Sequence, residues 1–259
     1  MNYATKRYKP TPKILLPLQW IYSVYAIITF VAILLIIFPL VVISSFLGRI
    51  KGGNFLYAIC RWWGNIWLPL IGIFNRNIYE STIEKEKQYV FVVNHISYMD
   101  IPVIFQAIRH KHFRILGKME ISKIPIFGFL YKNAVVMVDR SSSEKRAQSI
   151  RQLKAVIRKD ISVYIYPEGT FNETPEPLKS FYDGAFRIAV ETQTAIKPIV
   201  FLDNLQRLHY KSPFSFTPGK SRAVILPEIS VDGLTSKDIS ALKEKTFKVM
   251  EDCLLRYRP

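Results

Sequence analysis

The sequence predicts an α/β fold, a mostly parallel central sheet flanked by helices, preceded by an N-terminal membrane-embedded helical hairpin. Three observations predict it. Trp20 to Phe46 is almost wholly apolar and uncharged, long enough to cross a hydrocarbon core. Beyond residue 76, short β-branched apolar runs alternate with stretches of helical periodicity, the pattern of strands joined by helical crossovers. The chain of 259 residues holds one ordinary domain plus an anchoring element, so residues 1–75 are expected to anchor and 76–259 to form the α/β domain.

Residues 1–13 are basic and contain proline, which suits a surface-lying lead. The apolar run that follows is too long for the core of a signal peptide, and Ser44-Ser45-Phe46-Leu47-Gly48 is a poor cleavage site. Basic residues flank it on both sides, at Lys6–Lys13 and Arg49–Lys51. A single crossing would strand one cluster on the wrong face, so the expectation is a hairpin dipping into one leaflet with both ends cytoplasmic. Asn54 to Phe74 carries Arg61, Trp62, Trp63 and Trp67 among aliphatics and reads as an interfacial or re-entrant helix, with a buried core helix as the alternative.

In the second region Gln88–Val93, Ala134–Val138, Ser162–Tyr166, Ala195–Phe201 and Ala223–Leu226 are expected strands. Ile101–Ile108, the basic amphipathic Glu144–Arg158, Phe186–Thr192 and Ser236–Arg258 are expected helices, the last with Ser236 as N-cap.

The formal net charge is +16, and residues 1–75 hold seven Lys or Arg and no Asp or Glu. The basic residues lie beside the membrane-like segment and form no nucleic-acid motif, so membrane lipids and anionic ligands are the expected partners, with no nucleic acid. The two cysteines, Cys60 and Cys253, have no metal-ligand spacing and frame no disulfide scaffold; no metal site is expected.

The chemistry-bearing residues fall at two strand-to-helix junctions, where α/β sheets bind ligands. At the first, Asn94-His95 follows a strand, and Pro102 is tolerated only in a first helical turn, so a helix starts near Asp100. A turn between them lets Asp100 hold one imidazole nitrogen and leave the other free as a base. By itself the pair also fits a capping Asp beside an incidental His. At the second, Tyr166-Pro167-Glu168-Gly169-Thr170 offers groups for a hydroxyl and a glycine that admits close approach; by itself it also fits an ordinary turn. A serine hydrolase would want a Gly-x-Ser-x-Gly elbow, which does not occur, and a membrane scaffold would bind lipid indifferently to His95.

Asn94-His95-x4-Asp100 and Pro167-Glu168-Gly169-Thr170, in this order and separation, resemble the glycerolipid acyltransferase family, and most nearly its bacterial lysophosphatidic acid branch. Gly117-Lys118-Met119-Glu120, Pro125-Ile126-Phe127-Gly128, Val138-Asp139-Arg140 and Lys197-Pro198-Ile199-Val200 extend the resemblance over about residues 90 to 202. It implies a bacterial inner-membrane enzyme with its catalytic domain on the cytoplasmic face. It implies that His95, oriented by Asp100, deprotonates a lysolipid hydroxyl, which attacks the thioester of acyl-CoA or acyl-carrier protein. No cofactor and no acyl-enzyme is implied. Arg140 and Lys118 would hold the acceptor phosphate, and Asn94, Glu168, Gly169 and Thr170 would complete the substrate site. Three places depart from the family pattern. Phe171 stands where Arg is usual, Ala134 and Met137 replace Gly and Phe, and Tyr182-Asp183 replaces a basic pair. Thinner phosphate recognition leaves a lyso-aminolipid as the alternative acceptor.

Overall fold

A computed structural model describes residues 8–124, 126–138 and 143–257. Among the described residues seven strands form one sheet: β1 (Ile73–Tyr79), β2 (Val90–Val93), β3 (Phe113–Lys118), β4 (Val135–Val138), β5 (Ser162–Ile165), β6 (Ile196–Phe201) and β7 (Gly219–Ile225). Their order is β1-β7-β6-β2-β5-β3-β4. Every pairing is parallel except β6 with β7, so the sheet is mostly parallel, as expected.

The helices are α1 (Leu16–Phe46), α2 (Gly53–Leu70), α3 (Asp100–Ala107), α4 (Phe127–Ala134), α5 (Ser143–Ile157), α6 (Gly184–Thr192), the short α7 (Asn204–Arg207) and α8 (Ile239–Tyr257). Alternation along the strands sorts the core into two faces. Phe91 and Val93 of β2, Tyr164 of β5 and Phe201 of β6 face α2 and α3. Val90, Val92, Val163, Ile165 and Val200 face α5, α6 and α8. β2 and β6 are buried on both faces, which is why β2 reads as a continuous apolar run and β6 as one broken only by Lys197 and Pro198.

The two N-terminal helices are not equivalent. α1 is one continuous helix, and with Lys13–Leu15 it is long and apolar enough to cross a membrane; no other helix among the described residues is. Most of its aliphatic side chains, among them Ile21, Ile28, Ile36 and Ile43, are exposed. α2 lies inside it, between α1 and the sheet. Trp63 and Trp67 stack on each other and meet Phe30 of α1 edge-on, and the Trp67 indole N–H donates to the Ala26 carbonyl at 3.2 Å. Tyr25 near the start of α1 donates to the Leu70 carbonyl at the end of α2, so the helices run side by side in opposite senses. The expected interfacial helix is therefore an inner packing helix, with Trp62 alone of its tryptophans exposed.

Three further features differ from the sequence reading. Phe74 belongs to β1, not to the preceding helix. β1, β3, α4 and α7 had no counterpart in the expected elements. The last helical segment begins with a 3-10 turn capped by Thr235, in a capping box with Asp238, and not by Ser236.

Candidate active site

β2 ends at Val93, and the next six residues fold back over its carboxyl end before α3 begins at Asp100. Pro102 falls in the first turn of α3, where its missing N–H costs nothing. Asn94 starts the loop wholly buried, and its side-chain amide donates to and accepts from the backbone of Phe201 at 3.0 and 2.7 Å. Both polar ends of Asn94 are thus spent on tying β2 to β6, which fixes the point from which His95 projects.

His95 Nδ1 lies 2.8 Å from Oδ2 of Asp100. The same oxygen accepts the backbone N–H groups of Ile96 at 2.8 Å and Ser97 at 3.0 Å. The other oxygen accepts Nδ2 of Asn204 at 2.8 Å, and Oδ1 of Asn204 accepts the Ser221 hydroxyl at 2.6 Å. Asp100 is wholly buried while the His95 side chain is 18% exposed. A carboxylate only accepts, so Nδ1 carries the proton and Nε2 presents a lone pair. Nε2 has no hydrogen-bond partner among the described residues. Ser97 is not an activated nucleophile, because its buried hydroxyl donates to the Leu208 carbonyl at 2.6 Å.

The segment after β5 closes over this ring. Glu168 is wholly buried; one carboxylate oxygen accepts His95 N–H at 2.8 Å and the other accepts Lys179 N–H at 3.0 Å. Gly169 has φ +73°, a conformation that favours glycine, and Asn172 N–H donates to the His95 carbonyl at 2.9 Å. Lys179 reaches back so that Nζ donates to the Thr170 hydroxyl at 2.8 Å. Aromatic rings wall the imidazole. Tyr166 stacks on it with centroids 3.8 Å apart, and Phe171 packs at 4.2 Å, itself touching Tyr98 and Tyr210. Burial, and secondarily the charge of Asp100, push the Tyr166 phenol well above its ordinary range, so it stays neutral.

The structure therefore brings His95, Asp100, Glu168, Gly169 and Thr170 into one place, with Asn94 beneath them. Lys118 ends β3, and its side chain lies outside the described residues, as does Arg140 entirely. Lys197, from the fourth motif block, sits at the far end of β6 from His95, where Nζ bonds Ser81 and the Thr82 carbonyl; it ties β6 to the segment after β1. Lys179, Asn204, Ser221 and Tyr210 were not among the sequence candidates. They lie in segments with no motif of their own, and only Lys179 had a local clue, a lone cation 11 residues after Glu168. No cluster of three or more metal-ligating side chains occurs among the described residues.

Residues 75–202 match the family model described as Acyltransferase, which spans the two junction loops around the His–Asp pair. More particularly, the chain resembles the 1-acyl-sn-glycerol-3-phosphate acyltransferases, within the glycerolipid acyltransferase family that the motifs indicated. An uncharacterized acyltransferase of Schizosaccharomyces pombe is 30% identical over 179 residues, 68% of this chain and 63% of that protein. Human 1-acyl-sn-glycerol-3-phosphate acyltransferase beta is 28% identical over 174 residues, 67% of this chain and 62% of that protein. The chain thus spans somewhat under two thirds of the length of these relatives. The crystal structure of the 1-acyl-sn-glycerophosphate (LPA) acyltransferase PlsC from Thermotoga maritima superposes with a TM-score of 0.72 at 23% identity, covering 95% of this chain and 97% of that one, so the fold is shared.

Proposed function

We propose that this protein is a membrane-bound acyltransferase that moves an acyl chain from acyl-CoA or acyl-carrier protein to the free hydroxyl of lysophosphatidic acid, forming phosphatidic acid for phospholipid synthesis. The observation that carries the reading is His95 itself: Nδ1 held by the buried Asp100, Nε2 free, and the ring open to a substrate. Nε2 takes the hydroxyl proton as the oxygen attacks the thioester carbonyl. The tetrahedral oxyanion collapses, the C–S bond breaks, and the leaving sulfur takes the proton from the imidazolium. Thr170 and Phe171, beside Gly169, have backbone N–H groups with no acceptor among the described residues and are candidates to face that oxyanion. The products are the ester and the free thiol, and no metal or redox cofactor takes part.

Lys118, Arg140 and Lys179 are the proposed cations for the acceptor phosphate, with Glu168, Gly169 and Thr170 shaping its site and Asn94 holding the loop. The exposed aliphatic face of α1 supports a membrane location, since water tolerates few such surfaces. The run expected to fold back as a hairpin is one continuous helix, so the proposed arrangement instead lays α1 along one leaflet of a bacterial inner membrane, with both of its basic flanks and the catalytic domain on the cytoplasmic face. Labelling of Thr5→Cys and Lys51→Cys in a background lacking Cys60 and Cys253 tests it. Both are expected to react from the same side, and reaction from opposite sides overturns the arrangement.

Phe171 favours a second acceptor class. It stands where the family pattern has a phosphate-binding Arg, and it is packed against His95, Tyr98 and Tyr210. A lyso-aminolipid needs no bidentate guanidinium. The deciding experiment offers acyl-CoA and acyl-carrier protein, each with lysophosphatidic acid or a lyso-aminolipid, to purified protein and to His95→Ala. Transfer to lysophosphatidic acid that vanishes in the variant supports the first reading. Transfer only to the lyso-aminolipid keeps the chemistry and replaces the acceptor. Full activity in His95→Ala removes both.

A further inference from the structure

The chain of hydrogen bonds behind His95 does not stop at Asp100. The Asp100 carboxylate is wholly buried, and its Oδ2 already takes three donors, from His95, Ile96 and Ser97. Oδ1 takes its donor from outside both motif loops. Asn204, wholly buried in α7 just after β6, supplies Nδ2 at 2.8 Å. Ser221, wholly buried in β7, supplies a hydroxyl to Oδ1 of Asn204 at 2.6 Å.

The direction of every bond in this relay is forced by chemistry. An ionised carboxylate donates nothing, so the Asn204 amide must turn its NH2 toward Asp100. Its carbonyl oxygen is then buried and needs a donor, which only the Ser221 hydroxyl provides among its bonded neighbours. Ser221 therefore sets the flip of Asn204, and Asn204 sets the rotation of the carboxylate. That rotation aims Oδ2 along the Nδ1–H axis of His95.

We propose that Asn204 and Ser221 are positioning residues of this site, a buried amide–hydroxyl relay that locks the Asp100 carboxylate and with it the Nδ1-protonated tautomer of His95. The proposal rests on His95 acting as the general base. Both residues lie beyond residue 202, outside the matched family domain, so the relay adds strand β7 to the machinery of the site. Without Asn204 the carboxylate is held at Oδ2 alone, its buried Oδ1 is left without that donor, and small errors in aim cost large factors in rate.

The test compares Asn204→Ala, Ser221→Ala and Ser221→Thr with His95→Ala and with Thr246→Val. Thr246 is an equally buried hydroxyl, in α8 and remote from the relay, and serves as a control for lost stability alone. Asn204→Ala is expected to lower kcat on the order of tenfold to a hundredfold with KM changed less than about twofold. Ser221→Ala should lower kcat by a smaller factor, and Ser221→Thr should restore it. A second readout does not depend on turnover: the imidazole 15N resonances of His95, assigned by their loss in His95→Ala. Wild type and Thr246→Val should show one tautomer protonated at Nδ1, and Asn204→Ala or Ser221→Ala a mixture. Should Asn204→Ala fail to fold, the Ser221 pair carries the same comparison. A folded Asn204→Ala or Ser221→Ala with unchanged kcat and an unchanged single tautomer overturns the relay. So does a kcat loss matched by Thr246→Val at equal loss of Tm. If His95→Ala retains transfer, the general-base reading falls instead, and the tautomer measurement still decides whether the relay orients the ring.

Discussion

The loop after β2 and the segment after β5 lie against each other, and each is organised by one wholly buried carboxylate, yet the two carboxylates do different work. Asp100 gathers side-chain and backbone donors and aims the imidazole. Glu168 gathers backbone donors only among its named bonds, from His95 and Lys179, and holds the second loop over the first. The difference teaches how the two loops are held in place. One acid sets where a proton sits; the other sets where the main chain runs. Both are affordable inside the protein because their charges are met by several N–H groups.

Substitutions that keep shape but remove charge break this comparison most directly. Asp100→Asn should cause the largest loss, about 10^3–10^4-fold in kcat, because the amide can present NH2 to Nδ1 and reverse the tautomer. Steady-state transfer assays on folded protein check it, and a loss under tenfold would place the proton elsewhere. Glu168→Gln should act on both stability and turnover. Turning one acceptor into a donor against a buried N–H costs about 1.5–3 kcal/mol, read as a lower Tm, with a fall in kcat on the order of tenfold. If Glu168→Gln left Tm unchanged, its role as the brace between the loops would be wrong.

Smaller changes sharpen the contrast. Phe171→Arg, in the braced loop, places a guanidinium at the acceptor side and removes the ring that packs on His95 at 4.2 Å. It should lower KM for a phosphate-bearing lysolipid by about fivefold, while kcat falls because a cation replaces an aromatic wall of the base. An unchanged KM would place the phosphate away from Phe171. The smallest effect belongs to Cys253, whose thiol burial pushes up to about 11. It stays protonated and shielded at neutral pH, so alkylating reagents should leave turnover unchanged. Loss of activity on its modification would point to chemistry outside the two loops.

Much of this was legible in the residues. β2, β5 and β6 are buried on both faces, so their sequences are largely apolar, with Ser162 and Lys197 the polar exceptions, each hydrogen-bonded. Pro102 marked the start of α3, and with it the turn that lets His95 meet Asp100. β1 was hidden because Asn75, Arg76 and Asn77 interrupt its apolar pattern and its partner β7 lies far along the chain. β3 was hidden because Arg114 sits in it, buried and bonded to Asn54 and the carbonyls of Ile50 and Phe113. The inner place of α2 was equally hidden, since tryptophans suit a membrane boundary and a buried helix alike.

Local chemistry by itself determined the mostly parallel sheet, the apolar helix α1 and the candidate residues His95, Asp100 and Glu168, because alternation, proline placement and motif spacing act over short distances. Tertiary structure alone decided which groups complete them. Asn204 reaches Asp100 across 104 residues, and Ser221 follows 17 residues later; no local periodicity encodes either meeting. Only the folding of β6, α7 and β7 onto the end of β2 buries those polar atoms together, and once buried they had to pair with one another.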